Sequence, residues 1–244
     1  MATAIVVIPA RGGSKGLPTK NLHPLCGKVL IAWSIEQALA ADIGSVIVVT
    51  DDDAIAAVAD KYGVAVYEEP ADLAGDNISM ESVMEWVIEQ CRQRSPQAVY
   101  AVPDWLFLLQ CTSPLRLSSH IRECAAVAKT GAFNSVFSVV PSAHCCWRLK
   151  DNIPSGEWPQ ASPLKRMTRQ EAGQQWTENG AIYAFKVERF LVEETRFIPP
   201  MYLYEMPGWT AMQVDSPEDL ALVEHAMRTR LNLGADGVRT LNMT

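Results

Sequence analysis

The chain has 244 residues with 21 Lys+Arg against 28 Asp+Glu, a formal charge of -7. Nearly half of it (48%) is hydrophobic and 20% is charged, which excludes a disordered or collagen-like chain. The acidic balance argues against a general nucleic-acid binder, which needs a basic stripe to displace counterions, but leaves room for an anionic small ligand held by a local cluster of Lys and Arg.

The elements follow in alternation. Ile5-Val6-Val7-Ile8, ended by Pro9, reads as a strand buried on both faces. After a loop rich in Gly and Pro, the pattern predicts a helix over Leu30 to Ala41, a strand over Ser45 to Thr50, a helix over Asp53 to Tyr62 stopped by Gly63, and a short strand over Val64 to Tyr67. Ser79 is the expected N-cap of a helix whose Met80, Val83, Met84, Val87 and Cys91 share one face. Trp105 to Gln110 is a further buried strand, Ser118 to Lys129 a helix and Phe133 to Val140 a strand. The regular pattern breaks over 141–175, a stretch expected to form an arm or a subunit contact. The sheet is expected to resume at Gly180 to Phe185, Tyr202 to Tyr204 and Met212 to Val214, before a last helix opened by Ser216 as N-cap and Pro217 at its first position. Strands alternating with helices imply a doubly wound α/β fold with a mostly parallel sheet. A single domain over 1–231 is expected, with 232–244 as a tail.

Six cysteines (Cys26, Cys91, Cys111, Cys124, Cys145, Cys146) form no C-x-x-C pair and no zinc spacing, and read as small buried hydrophobes in a reduced compartment. Ala4 to Ile8 is too short for a signal core, and no apolar run reaches the roughly 18 residues of a membrane span, so a cytoplasmic location is expected. His23, His120, His144 and His225 lie far apart without ligand spacing, which points to packing or solvated roles.

The chemistry concentrates in the loop Ala10-Arg11-Gly12-Gly13-Ser14-Lys15-Gly16-Leu17-Pro18-Thr19-Lys20-Asn21, directly after the first strand. Ligands of open α/β sheets bind at the carboxyl ends of strands. Glycines let the backbone approach a phosphate, successive N–H groups form an anion nest, and Arg11, Lys15 and Lys20 place three cations within ten residues. A triphosphate suits this set. The pattern is neither the Walker G-x-x-x-x-G-K-S/T, since Lys15 precedes Gly16, nor G-x-G-x-x-G, since Ser14 occupies a glycine position.

This loop resembles the nucleotide-binding signature of the acylneuraminate cytidylyltransferases. Leu108-Leu109-Gln110-Cys111-Thr112-Ser113-Pro114-Leu115-Arg116 is similar to a second motif of that family, with Cys111 where proline is usual. Glu178-Asn179-Gly180-Ala181-Ile182-Tyr183 matches a third, and Val214-Asp215-Ser216-Pro217-Glu218-Asp219-Leu220 resembles its carboxyl-terminal motif. The resemblance implies a Rossmann-like nucleotidyltransferase that moves CMP from CTP to the anomeric C2 hydroxyl of a 2-keto-3-deoxy sugar acid and releases pyrophosphate. It implies that Arg11, Ser14 and Lys15 hold the triphosphate, that Lys20 neutralises the α-phosphate, and that Asn21 contacts cytosine. Ala10, Gly12, Gly13, Asp76 and Ser79 complete the implied nucleotide site. Gln110, Thr112, Ser113, Arg116, Arg169, Glu178, Asn179 and Tyr183 are the implied acceptor residues, and Asp215 the implied Mg²⁺ ligand. The family is usually dimeric, which makes 141–175 the candidate dimer contact.

Three positions depart from the family pattern: Gln213 replaces an aspartate, Thr177 replaces an arginine, and Glu69 stands where an arginine often contacts the nucleotide. Gln213 weakens the case for a second metal, because a neutral amide binds Mg²⁺ less well than a carboxylate. Asp51-Asp52-Asp53 has a rival reading as the metal site of a glycosyltransferase, against which helix capping at the following helix is the stronger reading. Lys165, Arg166 and Arg169 form a basic cluster that either faces solvent or meets a carboxylate-bearing substrate.

Overall fold

A computed structural model describes residues 3–75, 77–94, 102–142, 146–150, 153–157 and 168–230. Strand β1 (Ala4–Pro9) is followed by a 3-10 turn (Lys20–Leu22), the short pair β2 (Pro24–Leu25) and β3 (Lys28–Val29), and helix α1 (Leu30–Ala41). Then come β4 (Ser45–Thr50), α2 (Asp53–Lys61), β5 (Ala65–Glu68), α3 (Met80–Arg94), β6 (Trp105–Leu108), α4 (Ser118–Lys129) and β7 (Ser135–Ser142). The last third holds β8 (Cys146–Lys150), β9 (Ile153–Glu157), α5 (Arg169–Ala172), β10 (Gln175–Lys186), α6 (Val187–Glu193), β11 (Met201–Glu205), a 3-10 turn (Gly208–Ala211) and α7 (Pro217–Arg230).

Seven strands form one sheet in the order β11-β7-β10-β6-β1-β4-β5. The pairs β1–β4, β1–β6, β4–β5 and β7–β11 are parallel, whereas β10 runs antiparallel to both neighbours, β6 and β7. The strand order reverses beside β1, so the crevice between the carboxyl ends of β1 and β6 is the topological switch point where ligands of such sheets bind.

Alternation along each strand feeds two cores. Val6 and Ile8 point to the layer of α1, α2 and α4, where they meet Ile31, Ile35, Ile55 and Ile121. Ile5 and Val7 point to the opposite layer, where Val83, Met84, Val87 and Ile88 of α3 and Phe190 of α6 pack. A third cluster joins Leu17 of the glycine-rich loop to Leu25, Leu30, Trp33, Val214, Val223 and Met227, and thereby ties that loop to α7.

Two expectations need correction. Met212 to Val214 is not a strand: a single backbone bond, from Val214 N to Thr112 O at 2.8 Å, joins it to the loop after β6. The 141–175 stretch is not wholly irregular, since β8 and β9 pair as an antiparallel hairpin outside the main sheet and β10 already begins at Gln175. The caps follow expectation. The Ser82 amide donates to Ser79 Oγ at 3.1 Å, and Ser216 and Asp219 cap each other's backbone at 2.9 and 3.1 Å. Of the cysteines with described side chains, Cys26, Cys111 and Cys124 are buried and Cys91 is half-buried, and all four are thiols. Among the described residues, no helix is long and apolar enough to cross a membrane.

Candidate active site

At the switch point lies a cavity of about 350 Å³. Its polar wall comes from the loop after β1, through Arg11, Gly13, Ser14, Lys20 and Asn21, and from Gln110 and Thr112 after β6. Leu73, Ile78, Met80 and Val83 form an apolar wall from the segment after β5 and the start of α3. A polar cradle facing an apolar slot suits a phosphorylated ligand that carries a flat heterocycle.

Three devices hold the loop in shape. Leu17 is buried in the third cluster, and Gly16 passes so close to the carbonyl of Asp215 that any side chain there would collide with it. The Asn21 side-chain amide donates to Arg11 O at 3.0 Å and closes the loop on itself. Asp51, at the end of β4, accepts from the Gly12 amide at 2.7 Å. Asp52 accepts from the amides of Ala54 and Ile55 at 2.8 and 3.0 Å, so it is the N-cap of α2. Asp51 thus serves the loop and Asp52 the helix, in line with the capping reading.

At the mouth, Lys20 Nζ lies 2.8 Å from Asp215 Oδ1. The lysine side chain is 16% exposed and the aspartate 65%, so the acid stands largely in solvent. Among the described residues no three His, Cys, Asp or Glu side chains gather into a complete metal cage. Asp215 alone still fits Mg²⁺, which commonly takes one or two carboxylates and completes its octahedron with phosphate oxygens and water.

The residues expected to face an acceptor cluster on β10 and the loop after β6. Gly180 has φ 68°, and a Cβ there would stand 2.7 Å from Gln110 Oε1 and 2.8 Å from Gln213 Oε1. Only glycine tolerates both the left-handed backbone and that approach. The ladder register shifts between Glu178 and Tyr183 at this point. Beyond it the Tyr183 hydroxyl donates to Glu178 Oε2 at 2.8 Å, and burial together with that carboxylate holds the phenol well above its ordinary pKa.

Several expected ligand residues have partners within the scaffold. Arg116 is fully buried; its Nη1 donates to Ala181 O at 2.6 Å and its Nη2 to Ser34 Oγ at 2.8 Å. Burial pulls its pKa down to about 10, which leaves it charged at neutral pH. Ser113 Oγ donates to Asn179 O, while the buried Asn179 side chain binds Ser138 and Thr210. The Ala10 amide donates to Val49 O as part of the sheet, and the Gly12 amide faces Asp51 rather than the cavity. Ser79 is spent as a helix cap beside the cavity, and Lys15 lies exposed on the loop. Thr112 lines the cavity and donates to Gln213 Oε1 at 3.2 Å. Asp76, His144, Lys165 and Arg166 fall outside the described residues, as does the side chain of Arg169.

The sequence reading missed the apolar wall, because Leu73, Ile78 and Met80 carry no chemistry of their own. It also gave Asp51 no role toward the loop, although an acid at a strand end beside a glycine-rich loop is a usable signal. Glu69 is 8% exposed and lines the cavity. Burial first, then the Asp51 carboxylate, push its pKa up to about 7 against the opposing pull of Arg11.

A family model described as Cytidylyltransferase matches residues 5–206. The chain is similar to N-acylneuraminate cytidylyltransferase B of Danio rerio, 30% identical over 223 residues that cover 89% of this chain and 50% of that protein. It is also similar to post-translational flagellin modification protein B of Campylobacter coli, 29% identical over 232 residues, 94% of this chain and 97% of that one. The chain spans about half the length of the fish relatives it matches. In fold it resembles a CMP:2-keto-3-deoxy-manno-octonic acid synthetase solved with CTP, with a TM-score of 0.68 at 19% identity over 94% of this chain and all of that one. With this sheet, this loop and a match that runs through both, the chain belongs to the cytidylyltransferase family.

Proposed function

We propose that the protein transfers CMP from CTP to the anomeric C2 hydroxyl of a 2-keto-3-deoxy sugar acid and releases pyrophosphate. One observation carries the reading: Lys20 and Asp215 meet at 2.8 Å at the mouth of the cavity. A cation for the α-phosphate and an acid for a metal therefore stand at one point, fed by a phosphate-binding loop on one side and by Gln110 on the other. The relatives named for N-acylneuraminate support the acceptor class.

Displacement at phosphorus needs alignment and charge neutralisation more than covalent catalysis. Arg11 and Ser14 bind the triphosphate from the loop, with Lys15 at its exposed edge. Lys20 leaves Asp215 for the α-phosphate and neutralises the charge that grows as the acceptor oxygen attacks in line. Asp215, released from the lysine, would hold Mg²⁺. When bound, the ion supplies further neutralisation of phosphate charge. The apolar wall keeps water from the nucleotide, and Gln110 and Tyr183 orient the acceptor. The reading includes a cytoplasmic location and a homodimer joined through the β8–β9 hairpin.

Pyrophosphate release from CTP, measured against a panel of sugar acids, tests this directly. Lys20→Ala is expected to slow release by about a hundredfold or more, the usual loss when one electrostatic stabiliser is removed. Unchanged turnover in that variant would overturn the role given to the lysine, and CTP binding without release from any acid would overturn the reaction.

A further inference from the structure

Arg196 lies between α6 and β11, and its guanidinium carbon is 4.7 Å from the centre of the Tyr183 ring and 5.3 Å from that of Phe197. The side chain is 19% exposed, and its Nε and Nη1 are buried with no hydrogen-bond acceptor in the protein. Glu81 faces Nη1 at 3.6 Å, an ion-pair distance too long for a hydrogen bond. A buried donor without an acceptor is unfavourable, because it has given up its water and gained nothing in return. Arg116 spends both terminal nitrogens on protein oxygens and leaves only Nε without an acceptor.

The group adjoins Tyr183, one of the residues proposed to orient the acceptor, and is joined to the cavity wall through its chain neighbours rather than lining the cavity itself. Tyr183 pairs with Leu108, two residues before the cavity-lining Gln110, and Glu81 follows the cavity-lining Met80 in the first turn of α3. Its charges narrow the choice of ligand. Around the Tyr183 ring are one cation, Arg196, and two carboxylates, Glu81 and Glu178. A carboxylate brought by the ligand would meet an excess of negative charge. A neutral oxygen would accept from the guanidinium without that repulsion.

We propose that Arg196 is a specificity-determining residue for the acceptor, donating to a neutral oxygen-bearing substituent of the sugar acid, an acylamino carbonyl or a hydroxyl other than the one that reacts. The inference rests on the acceptor class proposed above. Pyrophosphate-release kinetics with N-acetylneuraminate, its deaminated form and the eight-carbon 2-keto-3-deoxy acid test it, on the wild type and on Arg196→Met and Arg196→Lys. Arg196→Met is expected to raise the acceptor KM by about ten- to hundredfold, the size of a lost charged hydrogen bond, and to leave the CTP KM within about twofold, with partial recovery in Arg196→Lys. A loss confined to the acylamino acid identifies its carbonyl as the partner, and a loss shared by all acceptors identifies a hydroxyl common to them. An unchanged acceptor KM, or CTP and acceptor KM values that rise together with a fallen Tm, would overturn the inference while the reaction stands. A wild type that releases pyrophosphate with none of the acids overturns the acceptor class and this inference with it.

Discussion

Glu69 carries a carboxyl into the wall of a cavity suited to an anion, between Asp51 and Arg11. Its ordinary pKa near 4.5 is raised to about 7, chiefly by burial, so the folded chain holds a proton that the unfolded chain has lost across that interval. The linkage sign follows: the stability tied to this proton is fully present below the lower value and is lost as pH rises through the upper one. Glu69→Gln keeps the shape and removes the titration. It is expected to match the wild type near pH 4 and to exceed it by about 3 kcal/mol near pH 8, read from urea unfolding midpoints. Equal midpoints at both pH values would show that the carboxyl is well solvated. The position of Glu69 at the end of a strand was legible in the sequence, but its burial was not, because burial depends on segments that meet it only in the fold.

At the scale of elements, most strands and helices of the first two thirds were readable because β1, β4 and β6 are buried along nearly their whole length and α2 and α3 open on side-chain caps, Asp52 and Ser79. The predicted bounds Leu30–Ala41, Ser45–Thr50 and Ser118–Lys129 coincide with α1, β4 and α4. The direction of β10 was not readable, since a buried run looks alike in either sense. That antiparallel strand decides the fate of Arg116, because β10 lays Ala181 O against the guanidinium. An arginine at the end of a motif rich in ligand residues looks like an anion clamp in one dimension. In three dimensions it is a tie among α1, the loop after β6 and β10. Arg116→Met is expected to destabilise the fold by about 3–5 kcal/mol, since it strands buried acceptors, while any protein that remains folded keeps its CTP affinity. Urea unfolding paired with calorimetric CTP titration checks both halves, and a folded variant with weakened CTP binding would return Arg116 to the site.

The whole molecule is acidic, at -7, yet gathers Arg11, Lys15 and Lys20 on one loop at a strand end, so the bulk charge and the local charge serve different ends. The same contrast applies to shape. The seven-stranded sheet buries its faces under helices, but β8 and β9 make a two-stranded sheet of their own. An isolated two-stranded hairpin is marginal in water and gains stability by lying against another surface. A second copy of the chain is the surface the proposed dimer supplies. Light scattering is therefore expected to give twice the chain mass for the wild type and the chain mass after residues 146–157 are replaced by a short Gly-Ser turn. A dimer that survives this replacement, or a wild type that is already monomeric, would remove the hairpin from the interface. If the hairpin also completes the neighbour's acceptor pocket, the monomeric variant keeps its KM for CTP and loses turnover of the sugar acid, because the cavity proposed for the nucleotide is lined, among the described residues, by the main body.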